Sequence, residues 1–275
     1  MKEIIVIKCG GKFVKQRVYF IPLLEAISDL FTAGISVVFV HGGGIQADEM
    51  QMKLGIPIKK INGKRITDTQ SLQVVKMVYK GLVNLDIVTE CIKLQISAVG
   101  ISGVDGSIVI AKKRPIVNVL NYKTNTASDV DFGYVGDISS VNPKLLSNHL
   151  DDKYLPVVAC LGTSRSGEIL NINADSLASH IALAIHAKKL FYVTDVQGVF
   201  GKNYEGDYIH HLSLMKAQEL MQSGIISDGM IPKIENVEKA LYGGVETVIV
   251  GELDTKKKWL DTLLENKYGT VITKN

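Results

Sequence analysis

Short apolar runs recur along the chain and are separated by segments in which apolar residues repeat at helical spacing. Uninterrupted apolar runs of this length are typical of strands that are buried on both faces of a parallel sheet. We predict strands at residues 4–7, 37–40, 107–111, 156–161, 190–194 and 247–250.

Between these runs, apolar positions return every three or four residues, which is the spacing of an amphipathic helix. The clearest examples are Leu72, Val75, Tyr79 and Leu82, and further along Leu177, Ile181 and Ile185. Strands that alternate with helices predict an α/β fold. The least regular segment, residues 115–134, is rich in Asn, Thr, Ser and Asp and predicts an exposed hairpin or loop. This segment either covers a substrate or is a surface loop with no role in binding.

Composition narrows the classes of partner. A chain of 275 residues is long enough for one large α/β unit or for two lobes, and its hydrophobic share of 46% supports an ample core. Charged residues make up only 21% and the net charge is +3, which argues against a nucleic-acid footprint and against a polybasic membrane patch. We therefore expect small-molecule partners, with no nucleic acid and no membrane.

Cysteine usage indicates the compartment. Cys9, Cys91 and Cys160 are odd in number and widely spaced, which favours reduced thiols over a disulfide framework or a metal cluster. The apolar stretch at residues 3–7 is too short for a signal peptide, and no later segment approaches a membrane span. We expect a cytoplasmic protein.

Glycine clusters follow the first two predicted strands. Open α/β sheets bind ligands beyond the carboxyl ends of their strands, which is where Gly10, Gly11 and residues 42–44 fall. Glycine lets backbone N–H groups approach an anion closely, so both clusters are candidate phosphate-binding loops, with tight turns as the alternative. Neither cluster fits the P-loop or the dinucleotide-binding pattern.

Two lysines frame these motifs. Lys8 closes the first predicted strand, and Lys233 follows Asp-Gly-Met-Ile-Pro near the other end of the chain. A lysine at a strand end is often only a solvated terminus. Together with the glycine clusters, however, the two lysines indicate a site that neutralises phosphate.

The motifs occur in a fixed order that resembles the amino acid kinase family over essentially the whole chain. They are Lys-x-Gly-Gly, His-Gly-Gly-Gly, Gly-x-Arg-x-Thr-Asp, Ser-Gly-x-Asp-Gly, Asn-x-Asn-Ala-Asp, Thr-Asp-Val-x-Gly-Val and Gly-Met-Ile-Pro-Lys. The resemblance implies a three-layer αβα sandwich with a mainly parallel open central sheet. The third and fifth motifs resemble the branch that phosphorylates N-acetyl-L-glutamate.

This resemblance implies an activity. The γ-phosphoryl group of ATP would pass to the side-chain carboxylate of N-acetyl-L-glutamate, giving an acyl phosphate in arginine synthesis. Residues 1–174 would form a lobe for acyl-amino-acid binding and dimerisation, and residues 175–275 a lobe for ATP. Mg²⁺ would be carried mostly by the phosphates and water, so no metal ligand is assigned in the protein.

Three residues would carry the chemistry by resemblance. A carboxylate nucleophile is ionised at neutral pH and needs no general base, so catalysis rests on positioning and on charge. Lys8 would contact the phosphoryl group near the attacking carboxylate, and Lys233 would stabilise the leaving side of ATP. Asp175 would hold both lysines, the alternative being an ordinary helix N-cap.

Further residues are assigned to the ligands in the same way. Arg65 offers a bidentate fork for the α-carboxylate of the substrate. Asn171 would bind the acetamido N–H, with a turn-forming Asn as the alternative. Backbone N–H groups would come from Gly43 and Gly44 at the reacting end, and from Gly10 and Gly11 for phosphate. The ATP-binding residues would be Thr194, Asp195, Val196, Gln197, Gly198, Val199, Ile225, Ile226, Ser227 and Gly229.

Some positions depart from the commoner family pattern. Lys12 follows the double glycine where many relatives carry Asn, and Leu85 stands where Lys is frequent. Lys12 would change the charge near the phosphoryl path. The chain also starts at its first strand, without the N-terminal helix of hexameric, arginine-inhibited relatives. We therefore expect a homodimer, with the helix of residues 72–88 as its contact face or as an ordinary core helix.

Two other functions stay open at this point. A kinase for N-acetyl-aminoadipate, or for carrier-linked aminoadipate or glutamate, would share the ATP half. Carrier-linked enzymes would be expected to show basic residues at the site entrance and a changed Asn-x-Asn-Ala-Asp motif. A non-catalytic sensor of amino acid or nucleotide would be expected to have lost Lys8, Asp175 or Lys233, all of which are present.

Overall fold

The fold is built from strands and helices that alternate along the chain, as seen in a computed structural model that describes residues 3–121, 126–200, 208–226 and 230–275. The strands are β1 (Ile4–Cys9), β2 (Ser36–His41), β3 (Lys60–Ile61), β4 (Lys64–Arg65), β5 (Ala98–Ser102), β6 (Val109–Lys113), β7 (Val117–Asn121), β8 (Thr126–Val130), β9 (Val135–Val141), β10 (Leu155–Ala159), β11 (Leu161–Thr163), β12 (Ile169–Ile172), β13 (Lys189–Val193), β14 (His211–Ser213), β15 (Thr247–Gly251) and β16 (Thr270–Thr273). The helices are α1 (Gly11–Lys15), α2 (Arg17–Thr32), α3 (Gly44–Lys53), α4 (Thr69–Lys76), α5 (Asn84–Lys93), α6 (Lys144–Asp151), α7 (Ala174–Ala184), α8 (Leu214–Gln222), α9 (Ile231–Tyr242) and α10 (Lys256–Glu265).

A central sheet of eight strands has the order β14-β16-β15-β13-β1-β2-β10-β5. Six neighbouring strands are parallel, and β16 and β14 at one edge run the other way. The apolar runs form the middle of the sheet because both of its faces are covered, and every residue of β2 and β10 is buried. The predicted mainly parallel sheet is confirmed.

Helices cover the sheet on both faces. In β13, the ring of Phe191 packs against Trp259 of α10 with 4.9 Å between the ring centroids. The hydroxyl of the next residue, Tyr192, donates to the backbone oxygen of Asp175 in α7 at 3.1 Å. Adjacent side chains of a strand point to opposite faces, so α7 and α10 lie on opposite sides of the sheet. The three-layer αβα architecture is therefore confirmed.

One predicted strand lies elsewhere, and three strands of the sheet, β5, β14 and β16, were not predicted. Residues 107–111 were expected in the sheet, but Ser107 ends a short 3₁₀ turn and β6 begins at Val109. With β9, β11 and β12, β6 forms a small closed barrel beside the sheet. The edge strand β5 was missed because its sequence, Ala-Val-Gly-Ile-Ser, contains a glycine and no long apolar run.

The irregular segment of residues 115–134 contains the predicted hairpin, formed by β7 and β8, and residues 122–125 lie outside the described residues. The hairpin shares a small second core with the β3–β4 hairpin. This core consists of Val130, Phe132 and Val135, with Ile61, Ile66, Val117 and Val119 packed against it. The backbone of Thr67 joins the two parts through hydrogen bonds to Phe132 and Tyr134. Both hairpins are thus held together above one end of the sheet.

The predicted helix of residues 72–88 is part of a longer helical rod that runs through α4, a π-helical segment (Met77–Val83) and α5. Its inner face carries Val75 and Val78, which are fully buried, while Leu85 on the outer face is 62% exposed. The described part of the chain contains no helix long and apolar enough to cross a membrane. The division into lobes at residue 174 stays a prediction, since strands from both segments share the central sheet.

Candidate active site

A cavity of about 420 Å³ opens at the carboxyl ends of β1 and β2. Its walls come from the loops after these two strands, from β4 and β12, and from the first turns of α7 and α9. Eight of the predicted site residues line it, namely Lys8, Gly10, Gly11, Gly43, Gly44, Arg65, Asn171 and Asp175. Residues far apart in sequence therefore meet at one edge of the sheet, as the strand-end rule predicts.

Asp175 bridges two lysines, of which Lys8 lines the cavity and Lys233 does not. Its Oδ1 atom lies 2.7 Å from Nζ of Lys8, and its Oδ2 atom lies 3.1 Å from Nζ of Lys233. The three side chains are 19%, 11% and 11% exposed, respectively, so the charges are largely screened from water by protein. Lys8 comes from the end of β1, and Lys233 from the first turn of α9. The predicted trio thus forms one bridged group.

Helix α7 presents Asp175 to the lysines through its first turn. The side chain of Asn173 caps this helix by accepting a hydrogen bond of 2.9 Å from the backbone N–H of Ser176. The alternative that Asp175 is the N-cap is therefore wrong, because the cap stands two residues earlier. The positive end of the helix dipole also favours a carboxylate at Asp175.

The charges of the trio are set by burial and by mutual attraction. For Asp175, burial opposes ionisation, but the charges of Lys8 and Lys233 outweigh it and hold the pKa well below its ordinary value. Burial would lower the pKa of Lys8, but Asp175 outweighs burial and raises it. The pKa of Lys233 is lowered, first by burial and then by the charge of Lys8, against the attraction of Asp175.

One glycine in each of the two glycine loops is packed so closely that a side chain would not fit. A Cβ atom at Gly11 would lie 2.2 Å from Oε1 of Gln46, and one at Gly43 would lie 2.6 Å from the ring of Tyr79. The amide nitrogen of Gln46 donates to the oxygen of Gly11 at 2.8 Å, which ties the loop after β1 to α3. Close approach explains the glycines here, and neither residue has positive φ.

Arg65 is a buried and firmly held guanidinium. Its Nη2 atom donates to Oδ1 of Asp48 at 2.7 Å and to the oxygen of Gly44 at 2.9 Å, and its Nη1 atom donates to Gln51. These partners fix the plane of the fork, and Arg65 still lines the cavity. Sequence reasoning missed Asp48 and Gln51. Their position one turn apart in the helix that follows the triple glycine was the available signal.

Asn171 lies in β12 and not in a turn, so the turn-forming alternative is wrong. Its amide nitrogen donates to Oγ1 of Thr67 at 3.0 Å. Thr67 belongs to the same motif as Arg65, so this bond joins the two sequence motifs assigned to the acyl substrate. Tyr79, which the sequence analysis treated only as a helical apolar position, lines the cavity as well.

His41 has a structural position beneath the glycine loop. Asn84 approaches its Nε2 atom with an amide nitrogen at 2.9 Å, so Nε2 accepts and Nδ1 donates to the oxygen of Gly42 at 3.0 Å. Burial lowers the pKa of His41 to about 4, so the ring is neutral at physiological pH. The ring therefore orients the loop and carries no charge toward the cavity.

Of the predicted ATP-binding residues that the structure describes, none lines this cavity. Residues 194–199 form the loop after β13, which is the sheet neighbour of β1. Ile226 is only 3% exposed, so its side chain belongs to the core. Ser227 and Gly229 lie outside the described residues. Among the residues that the structure describes, no group of three or more His, Cys, Asp and Glu side chains is placed to hold a metal ion.

Comparisons with known proteins agree with this geometry. The sequence profile of the amino acid kinase family matches residues 3–251. A Methanocorpusculum labreanum protein named acetylglutamate kinase is 38% identical over 273 residues, which cover 99% of this chain and 92% of the relative. The crystal structure of smu.665 from Streptococcus mutans UA159 is 31% identical with a TM-score of 0.78, covering 100% of both chains. Carbamate kinase from Giardia lamblia shares the fold, with 15% identity and a TM-score of 0.69 over 100% of this chain and 99% of that chain.

The depressed pKa of Asp175 predicts a pH-dependent contribution to stability. An unfolded Asp titrates near pH 4, so this contribution is complete above about pH 4 and is lost as the pH falls toward the folded pKa. We expect Asp175→Asn to lower the free energy of unfolding by about 3 kcal/mol at pH 7, because the buried lysines lose their counter-ion. The difference from the wild type should shrink steadily between about pH 4 and pH 2.

Urea denaturation followed by fluorescence measures this difference, since the single tryptophan, Trp259, is fully buried. The matched control is Asp152→Asn, which changes an exposed carboxylate outside the cavity and should alter stability by less than about 0.5 kcal/mol. A difference for Asp175→Asn that stays constant down to pH 2 would contradict the assigned ion pairs.

Proposed function

Because the chain belongs to the amino acid kinase family, we propose that it transfers the γ-phosphoryl group of ATP to the side-chain carboxylate of N-acetyl-L-glutamate. The observation that carries this proposal is the pair of lysines bridged by Asp175, of which Lys8 lines the cavity together with Asp175 and Arg65. Full-length similarity to the acetylglutamate kinase of Methanocorpusculum labreanum supports the choice of acceptor. The product is an acyl phosphate for arginine biosynthesis.

The chemistry needs cations more than it needs a base. The attacking carboxylate is already ionised, and the transferring phosphoryl group gathers negative charge on its oxygens. Asp175 is a poor proton acceptor because its pKa is depressed, which supports an organising role over a basic one. One carboxylate between two ammonium groups leaves a net positive charge. Lys8 acts on the acceptor side of the phosphoryl group, and Lys233 acts on the leaving side.

The acceptor is held on the side of the cavity formed by β4 and β12. Arg65 binds the α-carboxylate, because its fork is buried and fixed by Asp48 and Gln51. Asn171 binds the acetamido group, and the N–H groups of Gly43 and Gly44 bind at the reacting end. This arrangement orients the side-chain carboxylate toward Lys8, which is how positioning accelerates the transfer.

ATP occupies the other side of Lys8. Residues 194–199 and 225–229 supply the nucleotide contacts, and Gly10 and Gly11 approach the phosphates. Mg²⁺ is carried by the phosphates and water, as is usual for this ion. Residues 1–174 then serve the acyl amino acid and dimerisation, and residues 175–275 serve ATP. The protein is cytoplasmic.

A basic rim favours a second candidate acceptor, a carrier-linked aminoadipate or glutamate. Lys60, Lys64, Arg114 and Lys239 lie at the edge of the cavity. Arg114 is paired with Asp137, and Lys60 shares Asp48 with Arg65, which weakens the attraction for an acidic carrier. The Asn-x-Asn-Ala-Asp motif is intact. A free N-acetyl amino acid therefore remains the preferred acceptor.

A homodimer is part of the same proposal. Met77, Leu85 and Ile92 are 54%, 62% and 66% exposed on one helical rod, and the adjacent β5 is an edge strand of the sheet as described. Apolar side chains next to an open sheet edge are suited to contact with a second copy.

Trapping the acyl phosphate with hydroxylamine tests the reaction. With MgATP we expect product from N-acetylglutamate, and little from glutamate, aspartate or N-acetyl-aminoadipate. Lys8→Ala and Lys233→Ala should each lower kcat by about a hundredfold or more, because a preorganised charge is lost. The control Lys216→Ala, which removes an exposed lysine outside the cavity, should retain full activity. Faster turnover of another acceptor would overturn the proposed substrate, and ATP binding without any turnover would favour a sensor.

The role of Arg65 predicts a selective kinetic effect. Arg65→Lys keeps the positive charge but loses the planar fork, so KM for N-acetylglutamate should rise by about tenfold or more while KM for ATP changes little. Steady-state kinetics with each substrate varied in turn measures both constants. Equal increases in both constants would show that Arg65 supports the fold of the cavity and does not select the acceptor.

The assembly is tested by light scattering coupled to gel filtration. Wild-type protein should elute with twice the mass of the 30.0 kDa chain. Leu85→Glu should shift the mass toward one chain, because it places a charge in the apolar contact. Leu264→Glu on α10, also at an exposed apolar position, should leave the mass unchanged. A wild-type monomer at micromolar concentration would refute the dimer.

A further inference from the structure

Lys12 stands directly after the two glycines that follow β1. The catalytic assignments give this position no role. Its Nζ atom lies 3.3 Å from Oδ2 of Asp195, in the loop after β13. Because β1 and β13 are sheet neighbours, the contact links the glycine loop to the loop assigned to ATP. The contact thus joins the loop after β13 to the segment that follows Lys8 by four residues.

The ion pair between Lys12 and Asp195 is weak enough for Lys12 to exchange Asp195 for another anion. The two side chains are 55% and 66% exposed, and exposed ion pairs of this kind contribute little to stability. Burial works against the charge of Asp195, but hydrogen bonds from Lys12, from its own backbone N–H and from Thr194, together with the charge of Lys12, outweigh burial and lower the pKa of Asp195. Glu252 lies near the same pair, since the charges of Asp195 and Lys12 both act on its pKa. Lys12 is therefore held by a weak, water-exposed ion pair with Asp195.

The site also needs more positive charge than the central trio provides. Lys8 and Lys233 share the carboxylate of Asp175, so the trio carries one net positive charge. ATP carries more negative charge than one Mg²⁺ neutralises, and the acceptor adds a carboxylate at the point of attack. Arg65 is engaged by Asp48 and lies on the acceptor side. A further cation beside Gly10 and Gly11 therefore has a clear electrostatic purpose.

We infer that Lys12 is a phosphate-binding residue that leaves Asp195 and binds the β- and γ-phosphate oxygens when ATP enters. This inference rests on the proposed function for the direction from which the triphosphate reaches Lys8. It assigns Lys12 to ATP affinity and not to acceptor selection. The ion pair with Asp195 holds the lysine beside the loop that is assigned to ATP.

Calorimetric titration with the Mg²⁺ complex of AMP-PNP, a non-hydrolysable ATP analogue, tests the inference. Lys12→Met should weaken binding by about tenfold or more, the usual effect of losing a hydrogen bond to a charged group. Lys12→Arg should retain most of the affinity, and neither variant should change the affinity for AMP. The matched control is Lys15→Met, which removes another lysine of α1 that is paired with Glu49 of α3 and not with the loop after β13. Equal affinities for the wild type and Lys12→Met would overturn the inference.

A double variant separates direct contact from mere shielding of Asp195. If Lys12 binds phosphate, Lys12→Met combined with Asp195→Asn should bind AMP-PNP as weakly as the single Lys12→Met variant, or more weakly. Recovery of wild-type affinity in the double variant would show that the lysine only neutralises Asp195, and would overturn the inference. Thermal unfolding of each variant confirms that the comparison is made between folded proteins.

The hydroxylamine assay keeps the two proposals apart. A wild type that forms acyl phosphate from N-acetylglutamate, with AMP-PNP affinity independent of Lys12, refutes the inference alone. A wild type that forms no acyl phosphate from any acceptor, yet loses AMP-PNP affinity in Lys12→Met, supports the inference and refutes the proposed function. In the expected case, Lys12→Met raises KM for ATP and leaves KM for N-acetylglutamate unchanged.

Discussion

The bridge from Lys8 through Asp175 to Lys233 is the interaction on which the organisation of the site depends. Two ammonium groups close together in a largely buried place repel each other, and each loses hydration. A single carboxylate between them, 2.7 Å from one and 3.1 Å from the other, makes the arrangement stable. It also fixes three elements against one another, because β1, α7 and α9 each supply one charge. The three side chains that supply the charge proposed for catalysis therefore also fix the local packing.

Around this bridge, the two glycine loops approach neighbouring groups closely because glycine has no side chain. Gly11 lies under Gln46, and Gly43 lies under Tyr79, with no room for a Cβ atom at either position. Because these positions carry no side chain, backbone N–H groups can approach an anion in the cavity closely, which suits phosphate and carboxylate. It also makes the loop positions depend on side chains from α3 and from the π-helical segment.

The sequence allowed us to predict the features that depend on local patterns, which are the buried strands and the residues at their ends. Buried strands appear as apolar runs, and residues at the carboxyl ends of parallel strands must meet, so Lys8 and the glycine clusters were found before their geometry was known. Asp175 was assigned from the resemblance to the family. The partners of Arg65 were not found, since Asp48 and Gln51 gain their meaning only when β4 lies against α3. The sequence left Asp175 open as the N-cap of α7 because Asp is a common capping residue, whereas the structure shows that Asn173 is the cap. The strand at residues 107–111 was misplaced because an apolar run does not reveal which sheet it joins. The ATP side follows the family motif, and its contacts stay a prediction.

The π-helical segment explains how one helical rod supports two parts of the same loop. Tyr79 packs against Gly43, and Asn84, five residues later, approaches the ring of His41. In an α-helix, residues five apart are about 140° apart around the axis, so they would not both face β2 and its loop. The i→i+5 spacing of a π-helix brings such residues onto one side. The wider turn therefore lets a single rod clamp both the glycine that lines the cavity and the histidine beneath it, while Leu82 and Leu85 remain on the outer face. Straightening this segment into an α-helix would release one of the two contacts, which gives a physical reason for an otherwise unfavourable helix geometry at this place.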